Sequence, residues 1–344
     1  VNASPNVDYT EAVDLFSQQA RNRRRSAWLI VGFILFFAWL GFGGDYIAYL
    51  NTQGAEPQEY HHTIPWFGMV LTVVGAGVAA FSWRNGAAEV LKSTGAREII
   101  DPQNDVETLY VNVVDEMAIA SGIPRPRIWL IDDPDPNAFA TGRDPNTAHI
   151  AVTEGLLLTI DRSELQAVVA HEMGHIKNLD VRLMTLLAAL VGAVVLLSDV
   201  LWRFIFRGGG SGMKRAGKKK DGGGPLIIIL LVVWLISWLL APIIVRLLAL
   251  SVSREREYLA DAMSAQFTRN PLALASALEK IEHAAEPTKQ IKRGTAHLCI
   301  ADPTGRRVNA KEGWFASRLG THPPMALRVA RLKAMGYRTL KATG

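Results

Sequence analysis

Long apolar runs alternate along this chain with mixed, charge-bearing stretches, and the alternation divides it before any motif is considered. Residues 27–50, 66–83, 183–206 and 225–250 are apolar nearly throughout, and a helix of about 20 such residues crosses a bilayer. One such run could be a buried core helix, but four in one chain predict transmembrane helices. Trp28, Trp66, Trp83 and Trp202 sit near the run ends, where amphipathic rings favour the membrane interface. The first run is long, aromatic and carries Gly43, Gly44 and Asp45 instead of a small-x-small cleavage pattern, so it reads as an anchor and not as a cleaved leader.

The mixed stretches, 85–180 and 251–344, follow other periods. Residues 106–121 have the pattern of an amphipathic helix stopped by Gly122 and Pro124. Three short extended runs come next, at 127–131, 137–141 and 148–153, separated by Asp, Pro, Gly and Asn turns, which predict a small antiparallel meander. Helices follow at 154–160 and then from the capping-box pattern Asp161, Arg162, Ser163, Glu164 through His175. The expected fold is therefore a mainly α integral membrane protein with an α+β domain containing a small antiparallel sheet. Its expected divisions are an N-terminal segment at 1–26, two membrane helices at 27–84, a first half-domain at 85–180, a membrane hairpin at 181–250 and a second half-domain at 251–344.

Composition supports the mixed character: 49% of the 344 residues are apolar, too many for an ordinary soluble enzyme, yet 20% are charged. The net charge of +5 is unevenly placed, with basic clusters at Arg21, Arg23, Arg24 and Arg25, at 214–220 and between 289 and 331. The first two abut apolar runs, so they read as membrane-flanking charge, and no nucleic-acid partner is expected. By the same rule the N-terminus lies in the cytoplasm. The loop assigned Asp45, Glu56 and Glu59 lies outside, and the chain after Trp83 is cytoplasmic. A full hairpin at 181–250 would put the basic loop 214–220 on the outer face, against the positive-inside tendency; crossing is expected nonetheless, with both ends held by the cytoplasmic domain. Glycines at 208–210 and 222–224 predict a mobile loop there. The one cysteine, Cys299, forms no internal disulfide and is expected as a small buried apolar residue.

Chemistry concentrates in His171, Glu172 and His175. On a helix, positions i and i+4 lie about 40° apart around the axis and one turn along it, so the two imidazoles can meet one zinc ion. Glu172 flanks that point without ligating it, where a base can take a proton from water activated by the metal. A third ligand is required. A metzincin-type third histidine would fall at 181, which is Val181, and the glycine of that pattern would fall at Asn178, so that class is excluded. Beyond the fourth apolar run, Glu257 and Asp261 lie one helical turn apart in Ser253 to Asp261. Glu257 can complete a His, His, Glu set while Asp261 hydrogen-bonds a ligand imidazole; a solvated, charged helix end fits the spacing equally well.

These residues together resemble the HtpX-type membrane zinc metalloproteases, relatives of the type I CAAX prenyl proteases. The resemblance runs from about Leu91 onward. It rests on His171-Glu172-Met173-Gly174-His175, on Ser253-Arg254, Arg256-Glu257-Tyr258 and Ala260-Asp261, on Asn137-Ala138-Phe139-Ala140, and on Thr321-His322-Pro323-Pro324 with Arg328. It implies a zincin-like domain, one Zn2+ per chain with Glu257 as third ligand, and an edge strand at Asn137, Ala138, Phe139 and Ala140 that pairs with an extended substrate. An ordinary edge strand is the plainer alternative. It also implies that His322 and Arg328 stand near the metal and support the oxyanion, although Pro323 and Pro324 also suit a simple helix start. Four apolar runs, where the CAAX enzymes have seven spans, favour the HtpX-like branch. The expected activity is zinc-dependent hydrolysis of membrane or misfolded proteins at the cytoplasmic face of a bacterial inner membrane, in quality control and stress response. Its partners are protein or peptide substrates and the lipid bilayer. Cleavage within the bilayer is disfavoured because Glu164, Lys177 and Asp180 flank the motif. The alternative of another class is a non-enzymatic, zinc-stabilised membrane chaperone or adaptor.

Overall fold

A computed structural model describes residues 15–53, 57–203, 254–284, 288–291, 298–301 and 323–343. The fourth apolar run, the basic loop 214–220 and His322 lie outside these residues. The first helix, α1 (Leu15–Thr52), extends well before its apolar run; at 1.5 Å per residue it is about 57 Å long, against about 30 Å of bilayer hydrocarbon. It pairs with α2 (Trp66–Ser93) at very close range. A Cβ on Gly41 would stand 2.6 Å from the Phe67 carbonyl oxygen, and one on Gly75 would stand 2.8 Å from Phe37 Cβ, the small-residue contact by which membrane helices approach. Only 22% of each helix's apolar window is buried inside the protein, whereas the core helix of a soluble protein would be covered. These are the two candidate membrane spans among the described residues. Asp45 belongs to α1 and not to the loop after it: its buried carboxylate accepts the N–H groups of Phe67 (3.2 Å) and Gly68 (2.6 Å) and faces His62 Nε2 at 2.7 Å. That gives the start of α2 acceptors for two of its free N–H groups.

The sheet corrects the expected antiparallel meander. Its strands β1 (Arg97–Glu98), β2 (Arg127–Ile131), β3 (Ala138–Thr141) and β4 (His149–Thr153) lie in the order β1-β2-β4-β3. β2 pairs parallel with β4, Ile128 opposite Ile150, while β3 pairs antiparallel with β4, Phe139 opposite Ala151. The connection after β2 is pinned so that β4 enters between the other two: Asp133 N–H donates to Ile131 O (2.9 Å), Thr153 Oγ1 to Asp135 O (2.7 Å), and Asn137 N–H to Thr153 Oγ1 (2.9 Å). Both faces are covered. Ile128, Leu130, Ile150 and Val152 join the main core, while Ile131, Phe139 and Ala151 join a second core with Val90, Leu91, Leu183 and Leu187. A strand buried on both faces shows no apolar alternation from which its pairing could be read.

Around this sheet, α3 (Asp105–Ser121) is capped by Asn104, whose side chain accepts Glu107 N–H, and ends at Gly122 with φ +69°. After α4 (Glu154–Thr159), α5 (Arg162–Lys177) begins with the expected capping box. Its Glu164 also accepts Ser276 Oγ (2.6 Å) and Lys280 Nζ (2.7 Å) from α8 (Pro271–His283). The third apolar run falls in α6 (Asp180–Arg203), and its first turns are interior: Leu183, Leu186, Leu187, Leu190 and Val191 are buried. Two further helices, α7 (Arg254–Thr268) and α9 (Met325–Thr343), complete the domain. Cys299 is buried and unbridged.

Candidate metal centre

The middle of α5 is covered on every side, and α7 crosses it at a glycine. A Cβ on Gly174 would stand 3.3 Å from Ala260 Cα, and Ser264 Oγ donates to Ala167 O at 2.6 Å. This crossing carries Glu257 to the two histidines. His171 Nε2 and His175 Nε2 are 3.2 Å apart, with rings at 90°. Glu257 places Oε1 3.6 Å from His175 Nε2 and Oε2 3.9 Å from His171 Nε2. Ligand atoms about 2.0–2.1 Å from a tetrahedral zinc are about 3.3 Å from one another, so this triangle fits a zinc-sized ion. The chemistry of the donors fits as well. His171 Nδ1 faces Asp261 Oδ1 at 3.0 Å and His175 Nδ1 faces Asp180 Oδ2 at 3.1 Å. Both outer nitrogens are thus engaged by carboxylates, which leaves both Nε2 lone pairs for a metal.

Glu172 is 2% exposed and points along the same cleft. Burial pushes its carboxyl up to about 7; Glu257 adds to the rise, while His175 and the Ala140 N–H oppose it. A carboxyl near neutrality can both take and return a proton. For His175 burial disfavours the charged ring, but the Asp180 hydrogen bond and Glu257 outweigh it and raise the ring to about 9. His171 moves the other way, because its burial outweighs Asp261. A raised histidine stabilises the fold fully below its ordinary value, about 6.5, and that stabilisation is lost as pH rises through about 9. A zinc ion bound through His175 would have to displace this proton. Its affinity for the stripped protein should therefore rise by close to tenfold per pH unit from 7 towards 9 and level off beyond, as measured by competition with a chelator of known affinity; a flat profile would contradict the assignment.

Arg328 stands close to the donor triangle, with Nη1 3.5 Å from Glu257 Oε2. It is 0% exposed on α9, donates through Nε (3.0 Å) and Nη2 (2.7 Å) to the two oxygens of Asp261, and donates through Nη1 to Ile300 O (3.0 Å). Each of its three nitrogens therefore has an oxygen of Asp261, Ile300 or Glu257 within reach. Burial works to raise Asp261, but Arg328 and His171 outweigh it and hold the carboxyl below its usual range.

The outer strand beside Glu172 is β3, which takes in Ala138, Phe139 and Ala140 and ends at Thr141; Asn137 comes just before it, and Ala140 lines the cleft. Part of its outer edge is taken: Ile300 N–H donates to Ala138 O (2.9 Å), and Asn137 Nδ2 donates to Ala301 O (2.9 Å). Sequence reasoning missed the role of Asp180. The available signal was a polar cluster, Asn178 and Asp180, at the break between two helices five residues after His175.

Residues 107–336 match peptidase family M48. The chain is 43% identical over 270 residues to a Protease HtpX homolog of Tropheryma whipplei (strain Twist), covering 78% of this chain and 86% of that one. It is 35% identical over 322 residues to a Protease HtpX homolog of Lactobacillus helveticus (strain DPC 4571), covering 93% and 100%. The crystal structure of S. mikatae Ste24p resembles it with a TM-score of 0.44 and 19% identity, over 93% of this chain and 67% of that one.

Proposed function

This chain belongs to peptidase family M48 and is a membrane-bound metalloprotease, and from that premise we propose that it is a zinc endopeptidase whose metal is held by His171, His175 and Glu257. The observation that carries this reading is the donor triangle, with a carboxylate oxygen 3.0 Å from the outer nitrogen of His171 and 3.1 Å from that of His175. When bound, zinc would polarise the scissile carbonyl and make its water more acidic. Glu172 takes the proton from the attacking water and returns it to the leaving amide nitrogen. Asp261 and Asp180 fix the imidazoles, and Arg328 fixes Asp261. An extended substrate adds to the outer strand at Ala140, where the edge is not held by Ile300. His322, by its resemblance, supports the oxyanion.

The proposed setting follows from the charge pattern and the resemblance: four membrane helices, the five divisions given above, and a site facing the cytoplasm of a bacterial inner membrane, with membrane or misfolded proteins as substrates. A chaperone that keeps zinc only to fold is not favoured, because the chain belongs to a peptidase family and its relatives are proteases. In proteoliposomes, purified protein should cleave a membrane-protein substrate. A strong chelator should abolish cleavage and stoichiometric zinc should restore it. Undiminished cleavage by fully stripped protein would overturn the reading.

A further inference from the structure

The first turns of α1 are polar on the inside. Gln18, Asn22 and Ser26 are buried while Arg21, Arg23, Arg24 and Arg25 are exposed, so this end of the helix docks through amides and not through an apolar stripe. It docks on the junction between α5 and α6. Gln19 Nε2 donates to Lys177 O (2.8 Å) and Gln18 Oε1 accepts from Asn178 Nδ2 (3.0 Å). Asn22 Nδ2 donates both to Asn178 O (3.1 Å) and to Asp180 Oδ1 (2.8 Å). Between those two acceptors lies Leu179, with φ +60°, a left-handed conformation that side chains other than glycine and asparagine rarely adopt. The sharp turn swings Asp180 back along α5 until its second oxygen, Oδ2, meets His175 Nδ1 at 3.1 Å. Arg256 Nη1 stands 3.7 Å from Asp180 Oδ1, beyond hydrogen-bond length. Among the described residues, Asn22 is thus the short hydrogen-bond donor to the oxygen of Asp180 that His175 does not use.

We propose that Asn22 is a positioning residue of the metal centre: from the first membrane helix it fixes Asp180, and through Asp180 the ring of His175, so the helix that anchors the chain also completes the metal site. The inference rests on the reading of His171, His175 and Glu257 as ligands. A carboxylate held at one oxygen by a buried amide keeps the other oxygen aimed at the imidazole. Without that amide, Asp180 can rotate and the ring loses its orientation. Outer partners of this kind are worth about 10–100-fold in metal affinity. Gln19 grips the same junction through the Lys177 carbonyl and does not touch Asp180, so it separates positioning from general docking.

The test uses the full chain in proteoliposomes, loaded with zinc, and follows release of the metal to a chromogenic chelator. Asn22→Ala should release zinc about tenfold faster than wild type or more, and Gln19→Ala should stay within twofold. In an Asp180→Ala background, Asn22→Ala should add less than twofold, because its route to the metal is already cut. Release from Asn22→Ala within twofold of wild type would overturn the proposal. So would equal acceleration by Gln19→Ala, or a full further effect of Asn22→Ala on top of Asp180→Ala. Should Asp180→Ala retain no zinc, the comparison of Asn22→Ala with Gln19→Ala decides alone. A wild-type protein that holds no zinc would overturn the ligand assignment itself, an outcome distinct from zinc-bound wild type and Asn22→Ala releasing it alike.

Discussion

Glu257→Ala should lose its zinc during purification and with it all measurable proteolysis, while the membrane helices stay intact. The alanine removes one of three ligand atoms that lie within 4.8 Å of one another, and no described side chain replaces it: the nearby carboxylates Asp261 and Asp180 are already spent on the outer nitrogens of His171 and His175. Losing an outer partner typically costs about 10–100-fold in metal affinity, and loss of a ligand costs more. Zinc content by elemental analysis, set beside wild type prepared identically, checks this. A stoichiometric zinc in Glu257→Ala would remove Glu257 from the ligand set.

The second large effect is on the fold. Arg328→Ala should destabilise the protein by about 3–5 kcal/mol, the usual cost of removing one partner from a buried ion pair. Two carboxylates depend on this guanidinium: Asp261 through two hydrogen bonds and Glu257 at 3.5 Å. Both are buried, so neither can turn to water for compensation. The sign with pH follows from Asp261. A carboxyl held below its ordinary value contributes in full above that value, about 3.9, and loses the contribution only as pH falls further, so neutral pH shows the whole deficit. Thermal unfolding in detergent should place the variant well below wild type. Little change in stability, together with a slower reaction at full zinc content, would instead return Arg328 to the oxyanion role that the sequence suggested.

How much of this was legible in the sequence depends on how local each feature is. The helix α5 could be read because its signals lie within it: Asp161 and Glu164 make the capping box, and His171 and His175 share one face with Glu172 beside them. Glu257 and Asp261 were readable as a pair for the same reason, one turn apart on α7. The strand order was not, because β4 is buried on both faces and hides its neighbours. Nor was the setting of Arg328, since a basic residue in a helix gives no sign that it will be buried against Asp261 of α7 and the Ile300 carbonyl. Asp180 and Asn22 were further still from view. Their meeting requires α1 to continue as helix well before its apolar run and Leu179 to take a left-handed turn, and neither has a local sequence signature. The first helix begins at Leu15, before its apolar run at 27–50, because hydropathy marks where lipid begins and not where the helix does.

The claim on which the rest depends is that Glu172 does chemistry at a metal it does not bind. Wild type and Glu172→Ala should be compared in one set of proteoliposomes, with bound zinc and the rate of substrate cleavage measured on the same samples. Both should hold one zinc per chain, and the variant should cleave at least about 100-fold more slowly, the lower end of what a general base contributes. Equal cleavage by the two at equal zinc would contradict it.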